Sequence, residues 1–158
     1  MRVIKHILLI SILVVLGFVS FGQDTKEGRI EHFNLKKTVA TSAYDPVSYF
    51  TGEPVKGQPT FILKHKGIVY LFSSKENKAL FIKNPNKYEP AYGGWCAYAM
   101  GLEKGEKVSV NPKTYKIIDN KLYLYYNKLG VNTKTKWDKE EEKLKANADK
   151  NWDKIISK

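Results

Sequence analysis

The sequence predicts a small α+β domain. Two pairs of short β-prone runs each flank a turn signal, at residues 60–63 with 68–72 and at 114–118 with 122–126. Between them lies a helix with its own start and stop signals, and an amphipathic helical pattern closes the chain. The chain holds a single cysteine, Cys96. An intramolecular disulfide is therefore excluded, and the fold stands on its hydrophobic core.

The first 22 residues read as a secretory signal peptide. Arg2 and Lys5 form a positive start, residues 7–18 an apolar run, and Ser20-Phe21-Gly22 a small-residue cleavage site. The apolar run falls short of the roughly 20 residues of a membrane span. Export to the periplasm or beyond is the expectation, with retention as an N-terminal inner-membrane anchor the alternative. No later stretch of the chain is apolar enough to span a bilayer. Residues 23–34 are polar and lack periodicity, which suggests a flexible leader. The domain is expected over 35–158, opening with a short strand in 35–43.

Tyr44-Asp45-Pro46-Val47-Ser48-Tyr49-Phe50 is dense in aromatics around an Asp-Pro step, which biases Asp45 away from helix and marks a turn. His65-Lys66-Gly67 supplies turn chemistry for the first hairpin. Ser73-Ser74-Lys75-Glu76 fits a capping box with Ser73 as the cap. Pro85 disfavours helix at Asn84 and ends that helix. Gly93-Gly94 suits a tight turn leading Trp95 and Cys96 inward, and 95–102 reads as a short helix or buried turn. Asp119-Asn120-Lys121 turns the second hairpin. Alternation sets Leu122, Leu124 and Tyr126 on one face and Tyr123 and Tyr125 on the other. Over 138–156 the pattern is helical. Trp137, Glu141, Leu144, Ala148, Trp152 and Ile155 fall at spacings of three and four, forming a mostly apolar stripe that packs on the domain.

The net charge of +11 invites a search for polyanion binding. The positive residues are almost all lysines, scattered through every segment, and Arg2 and Arg29 are the only arginines. Phosphate and base recognition favours the arginine fork. No nucleic-acid role is expected, and an exported chain is removed from the nucleoid.

In their order and spacing, Tyr44 to Phe50, Tyr70-Leu71-Phe72-Ser73-Ser74 and Phe81-Ile82-Lys83-Asn84-Pro85-Asn86-Lys87-Tyr88 resemble the YHS domain family. The resemblance covers about residues 43–127. It is strongest to the exported single-domain branch, which carries a Tyr-Gly-Gly-aromatic-Cys-Ala segment matched by Tyr92 to Ala97 and an Asn-Trp ending matched by Asn151-Trp152. The resemblance implies a small α+β fold with the helix lying across the hairpin. It gives Asp45, Pro46, Tyr70, Phe72, Phe81, Pro85 and Tyr88 scaffold roles. Metal-associated members of the family place cysteines where this chain has Ser48, Ser73 and Asn77, and many have histidine where it has Leu71. The usual thiolate site is therefore missing.

Three classes of function stay open. Cys96 and Met100, one helical turn apart, offer the soft donors that suit Cu(I), with His65, His32 or a tyrosine oxygen as a third ligand. Copper handling in the envelope is thus one reading. An accessory module that binds an envelope protein partner is another, with a purely structural Cys96 and a surface of Tyr92, Trp95, Tyr98, Tyr123 and Tyr125. Thiol catalysis would need a histidine beside Cys96, and no catalytic signature accompanies it, so a non-enzymatic role is expected.

Overall fold

The computed structural model describes residues 26–157. The signal-peptide reading of 1–22 lies outside them. The architecture is α+β, with helices packed around three separate two-stranded antiparallel hairpins.

The first hairpin pairs β1 (Gln58–His65) with β2 (Ile68–Phe72). Lys66 and Gly67 both have positive φ, as a tight two-residue hairpin turn demands. On β2, Ile68, Tyr70 and Phe72 alternate inward and are fully buried. The next helices are α2 (Lys75–Lys83) and α3 (Pro85–Tyr88), and an earlier helix, α1 (Lys26–His32), precedes the hairpin. Phe81 of α2 lies over the hairpin, its ring centroid 4.7 Å from Tyr70 and 5.2 Å from Phe72. The cap of α2 is Ser74, one residue later than the sequence pattern suggests. Its oxygen accepts the Asn77 backbone N–H, because the Ser73 hydroxyl and backbone N–H are both held by Asp45. Pro85 does end α2, and it also starts α3, capped by the Asn84 side chain.

After α4 (Ala97–Gly101), the second hairpin pairs β3 (Asn111–Ile118) with β4 (Lys121–Tyr125) around Asp119-Asn120, both in the left-handed region. The face assignment on β4 holds. Leu122 and Leu124 pack with Tyr44 and Tyr49, while Tyr123 and Tyr125 pack with Met100 and Trp137. Both faces are therefore covered. This overturns the expected exposed surface at Tyr123 and Tyr125, and Tyr92 is buried as well; only Trp95 and Tyr98 keep partial exposure.

A third, minimal hairpin joins β5 (Asn127–Lys128) to β6 (Val131–Asn132). The helix expected over 138–156 forms as α6 (Glu141–Ile156), and a separate short helix, α5 (Lys134–Trp137), precedes it and carries Trp137. Trp137 on α5 is fully buried, and Leu144 and Ala148 carry the α6 stripe inward. α4 and α6 approach closely at Gly101, where a β-carbon would stand 2.5 Å from the Leu144 carbonyl oxygen. Asn151 of α6 then donates to the carbonyls of Met100 and Leu102, satisfying the end of α4.

Two further expectations are corrected. The leader is not a loose segment from Lys26 onward. It forms α1, whose Arg29 is only 8% exposed, and Phe33 and Leu35 pack on the first-hairpin cluster. A charged side chain reaching into the core, rather than an apolar stripe, is what fastens it. Residues 35–43 make no regular strand. Val39 forms a single bridge to Val69, and a tight turn follows with Thr41 and Ser42 in the left-handed region. No helix among the described residues is long and apolar enough to cross a membrane.

Candidate functional site

Gly93 and Gly94, with φ of +59° and +86°, turn the chain so that Cys96 enters the core at the start of α4. Cys96 and Met100 are both fully buried, and the Met100 N–H bonds the Cys96 carbonyl at 3.0 Å. The Cys96 Sγ accepts the Tyr126 N–H at 3.3 Å and lies 3.3 Å from the Thr133 hydroxyl. That hydroxyl has one proton, which goes to the Tyr126 carbonyl at 2.9 Å. The thiol's own proton completes the remaining contact. Cys96 thus ties α4 to the end of β4 and to the loop before α5.

His65 belongs to the other hairpin, where its ring meets Phe81 edge-on at 5.8 Å. His32 ends α1 and pairs its Nδ1 with Lys107 Nζ at 3.2 Å. The His32 carbonyl also accepts the indole N–H of Trp95 at 2.7 Å. Among the described residues, no group of three or more His, Cys, Asp or Glu side chains is placed to hold a metal ion.

The positions at which the resemblance implies cysteines do converge, on Asp45. This carboxylate is fully buried. Its Oδ1 accepts the Val47 N–H at 2.9 Å, the turn expected of an Asp-Pro step. Its Oδ2 accepts the Ser73 N–H at 2.8 Å, the Ser73 hydroxyl at 2.6 Å and the Asn77 amide at 2.6 Å. The Ser48 hydroxyl donates to the Asp45 carbonyl at 2.7 Å and accepts the Val55 N–H at 2.9 Å. Asp45, Ser48, Ser73 and Asn77 thus form a closed hydrogen-bond lock. The sequence names every member of this lock but not their meeting point.

The opening with chemical character lies elsewhere. A cavity of about 490 Å³ is walled by α1, the 89–93 segment, β4 and α6. Arg29 pairs with Glu89, and both are buried. The Tyr70 hydroxyl donates to the same Glu89 oxygen at 2.6 Å, and burial together with that carboxylate pushes the phenol well above its ordinary range. The Arg29 guanidinium also lies over the Phe33 ring, 4.5 Å from its centroid. Arg29 Nε is buried with no hydrogen-bond partner among the described residues. An orphaned buried donor costs about 1–3 kcal/mol, and more when charged.

Lys121 lines the same cavity. Burial pushes its ammonium below the usual lysine range, and it donates to the Asn86 carbonyl at 2.9 Å. On the opposite side the Tyr92 hydroxyl donates to Asp149 at 2.8 Å, and burial with nearby Asp149 pushes Tyr123 up to about 12. Trp152 of α6 stands edge-on to Tyr92.

No protein-family model, curated protein or solved structure matches the chain.

Sequence reasoning missed this cavity because Arg29 fell in the assumed leader and Lys121 in a turn. One signal was present. Arg29 is the only arginine beyond the signal segment, set one helical turn before Phe33.

Proposed function

We propose that the chain is an exported, non-catalytic accessory domain of the YHS type that binds a small ligand in the cavity between α1 and α6. The cavity, with Arg29, Glu89, Lys121 and Asp149 among its lining residues, carries this reading. Its volume lies within the usual range for small-molecule sites of about 300–1,000 Å³, and polar groups converge on an otherwise largely apolar wall. Cys96 serves the fold on this reading, since its proton and one sulfur lone pair are engaged by neighbouring groups.

Cu(I) handling is the second reading, favoured by the one-turn spacing of Cys96 and Met100 at the start of α4. Metal entry there would break the contacts to Thr133 and Tyr126.

The cavity reading is tested by NMR of the purified protein against a library of small polar aromatics. Shifts confined to Trp152, Tyr92 and Arg29 are expected. Shifts that track Cys96 and Thr133 instead would overturn it.

A further inference from the structure

We propose that the tip of the β5–β6 hairpin docks on an anionic lipid bilayer, with Leu129 as the side chain that enters the apolar layer. The tip is Lys128-Leu129-Gly130-Val131, closed by the pairing of Lys128 with Val131. Leu129 has φ of +53° and Gly130 of +77°, the two positive values that a type I′ turn requires. Asparagine or aspartate before glycine suits that turn, whereas leucine in the left-handed region is strained. The fold gives the leucine little cover in return. It is 87% exposed, more than any other large apolar residue among those described. A single exposed leucine is ordinary. One that is exposed and also held in a strained turn marks a position kept for an external contact.

The surroundings select the occupant. Val131 is 43% exposed and, as the direct partner of Lys128, shares a face of the hairpin with it. Leu129 borders an open groove whose other walls include Val110, Pro112 and Tyr126, and no acidic residue lines it. β5 is fastened beside β3. The Asn111 amide donates to the Asn127 carbonyl at 3.3 Å, and the Asn127 amide to the Thr114 hydroxyl at 3.0 Å. Lys113, exposed like Lys128, therefore stands near the tip. From the start of β3 to the end of α5, residues 111–137 hold six lysines and a single acidic residue, Asp119, which turns the far end of the β3–β4 hairpin. This stretch supplies five of the chain's eleven net positive charges. An apolar tip beside exposed lysines matches both levels of a bilayer, the ammonium groups at the anionic headgroups and the leucine below them. A neutral protein pocket would answer the leucine and leave the lysines unused.

The test is co-sedimentation of the purified protein with vesicles, comparing pure phosphatidylcholine with phosphatidylcholine and phosphatidylglycerol in equal parts. The native protein is expected to bind the anionic vesicles about tenfold more tightly, and added salt should remove that preference. Leu129→Asn installs the favoured Asn-Gly turn, so it should fold as well as the native chain or better. It should nevertheless lose about tenfold in affinity for the anionic vesicles, the scale of withdrawing one leucine from an apolar layer. Lys128→Gln should lose about fivefold, the scale of one lysine at an anionic surface. Equal binding of both vesicle types would overturn the lipid assignment. So would undiminished binding by Leu129→Asn, which would show that charge elsewhere on the chain holds the surface. No binding to either vesicle would overturn it as well and leave the tip to a protein partner.

Discussion

Asn77 donates its side-chain amide to Asp45 Oδ2 at 2.6 Å, joining the first turn of α2 to a chain reversal 32 residues earlier. With Ser73 on the same oxygen, the carboxylate clamps the turn at 45–48 to the strand-to-helix junction. The buried carboxylate is held by several N–H and O–H donors.

Asp45→Asn replaces an acceptor by an amide whose N–H₂ faces the donors of Ser73 and Asn77. The expected loss is about 2–4 kcal/mol, the range for breaking a buried polar network. Urea unfolding followed by circular dichroism measures it. Ser48→Ala, which removes the donor to the Asp45 carbonyl and the acceptor of the Val55 N–H, should cost about 1–3 kcal/mol.

Cys96 in the native protein should be silent to thiol reagents and react only as fast as the molecule unfolds. Cys96→Ala should lower stability by about 1–3 kcal/mol, because the Tyr126 N–H and the Thr133 hydroxyl lose a partner. Competitive Cu(I) titration separates the two readings of this residue. A stoichiometric sub-micromolar site that disappears in Cys96→Ser would restore copper handling as the function.

Gly101→Ala should destabilise more than its helical setting suggests. In an open helix the change is favourable by about 1 kcal/mol. Here the added methyl meets the Leu144 backbone at 2.5 Å, and α4 and α6 must part. A net loss of about 1–3 kcal/mol is expected from overpacking, measured by chemical denaturation.

Lys116 bridges Asp138 and Glu141, and these hydrogen bonds raise its affinity for a proton, while the hydrogen bond from Lys134 first and that from Lys116 second lower the proton affinity of Asp138. The two signs differ. The Asp138 contribution is present above the ordinary aspartate value of 3.8 and is lost as pH falls through its lower folded value. The Lys116 contribution is present below 10.5 and is lost as pH rises through its higher folded value. Lys116→Met should therefore lower Tm at neutral pH more than at pH 2. The groups are partly exposed, so added salt should shrink the difference.

Local rules made much of the fold legible. The β1–β2 and β3–β4 hairpins follow from turn residues and period-two alternation, and α2 from its serines and Pro85; the two-residue strands of β5–β6 are too short to show alternation. The cap of α2 shifts by one residue because a long-range carboxylate outcompetes the local box for Ser73, which no local rule can register. The β4 tyrosines were misjudged for a related reason. Alternation tells which side chains share a face, but whether a second layer covers that face depends on α4, α5 and α6 arriving from elsewhere. Arg29 was hidden by the same limit. A polar segment reads as a solvated one until its distant partner, Glu89, is known.

The covering of β4 on both faces has a kinetic corollary. A strand with clusters on either side cannot loosen by peeling away one layer, so its backbone amides should exchange with deuterium only when the entire molecule opens. The protons of Leu122 to Tyr125 would then be the slowest in the protein, and their exchange rate would report the free energy of global unfolding without denaturant.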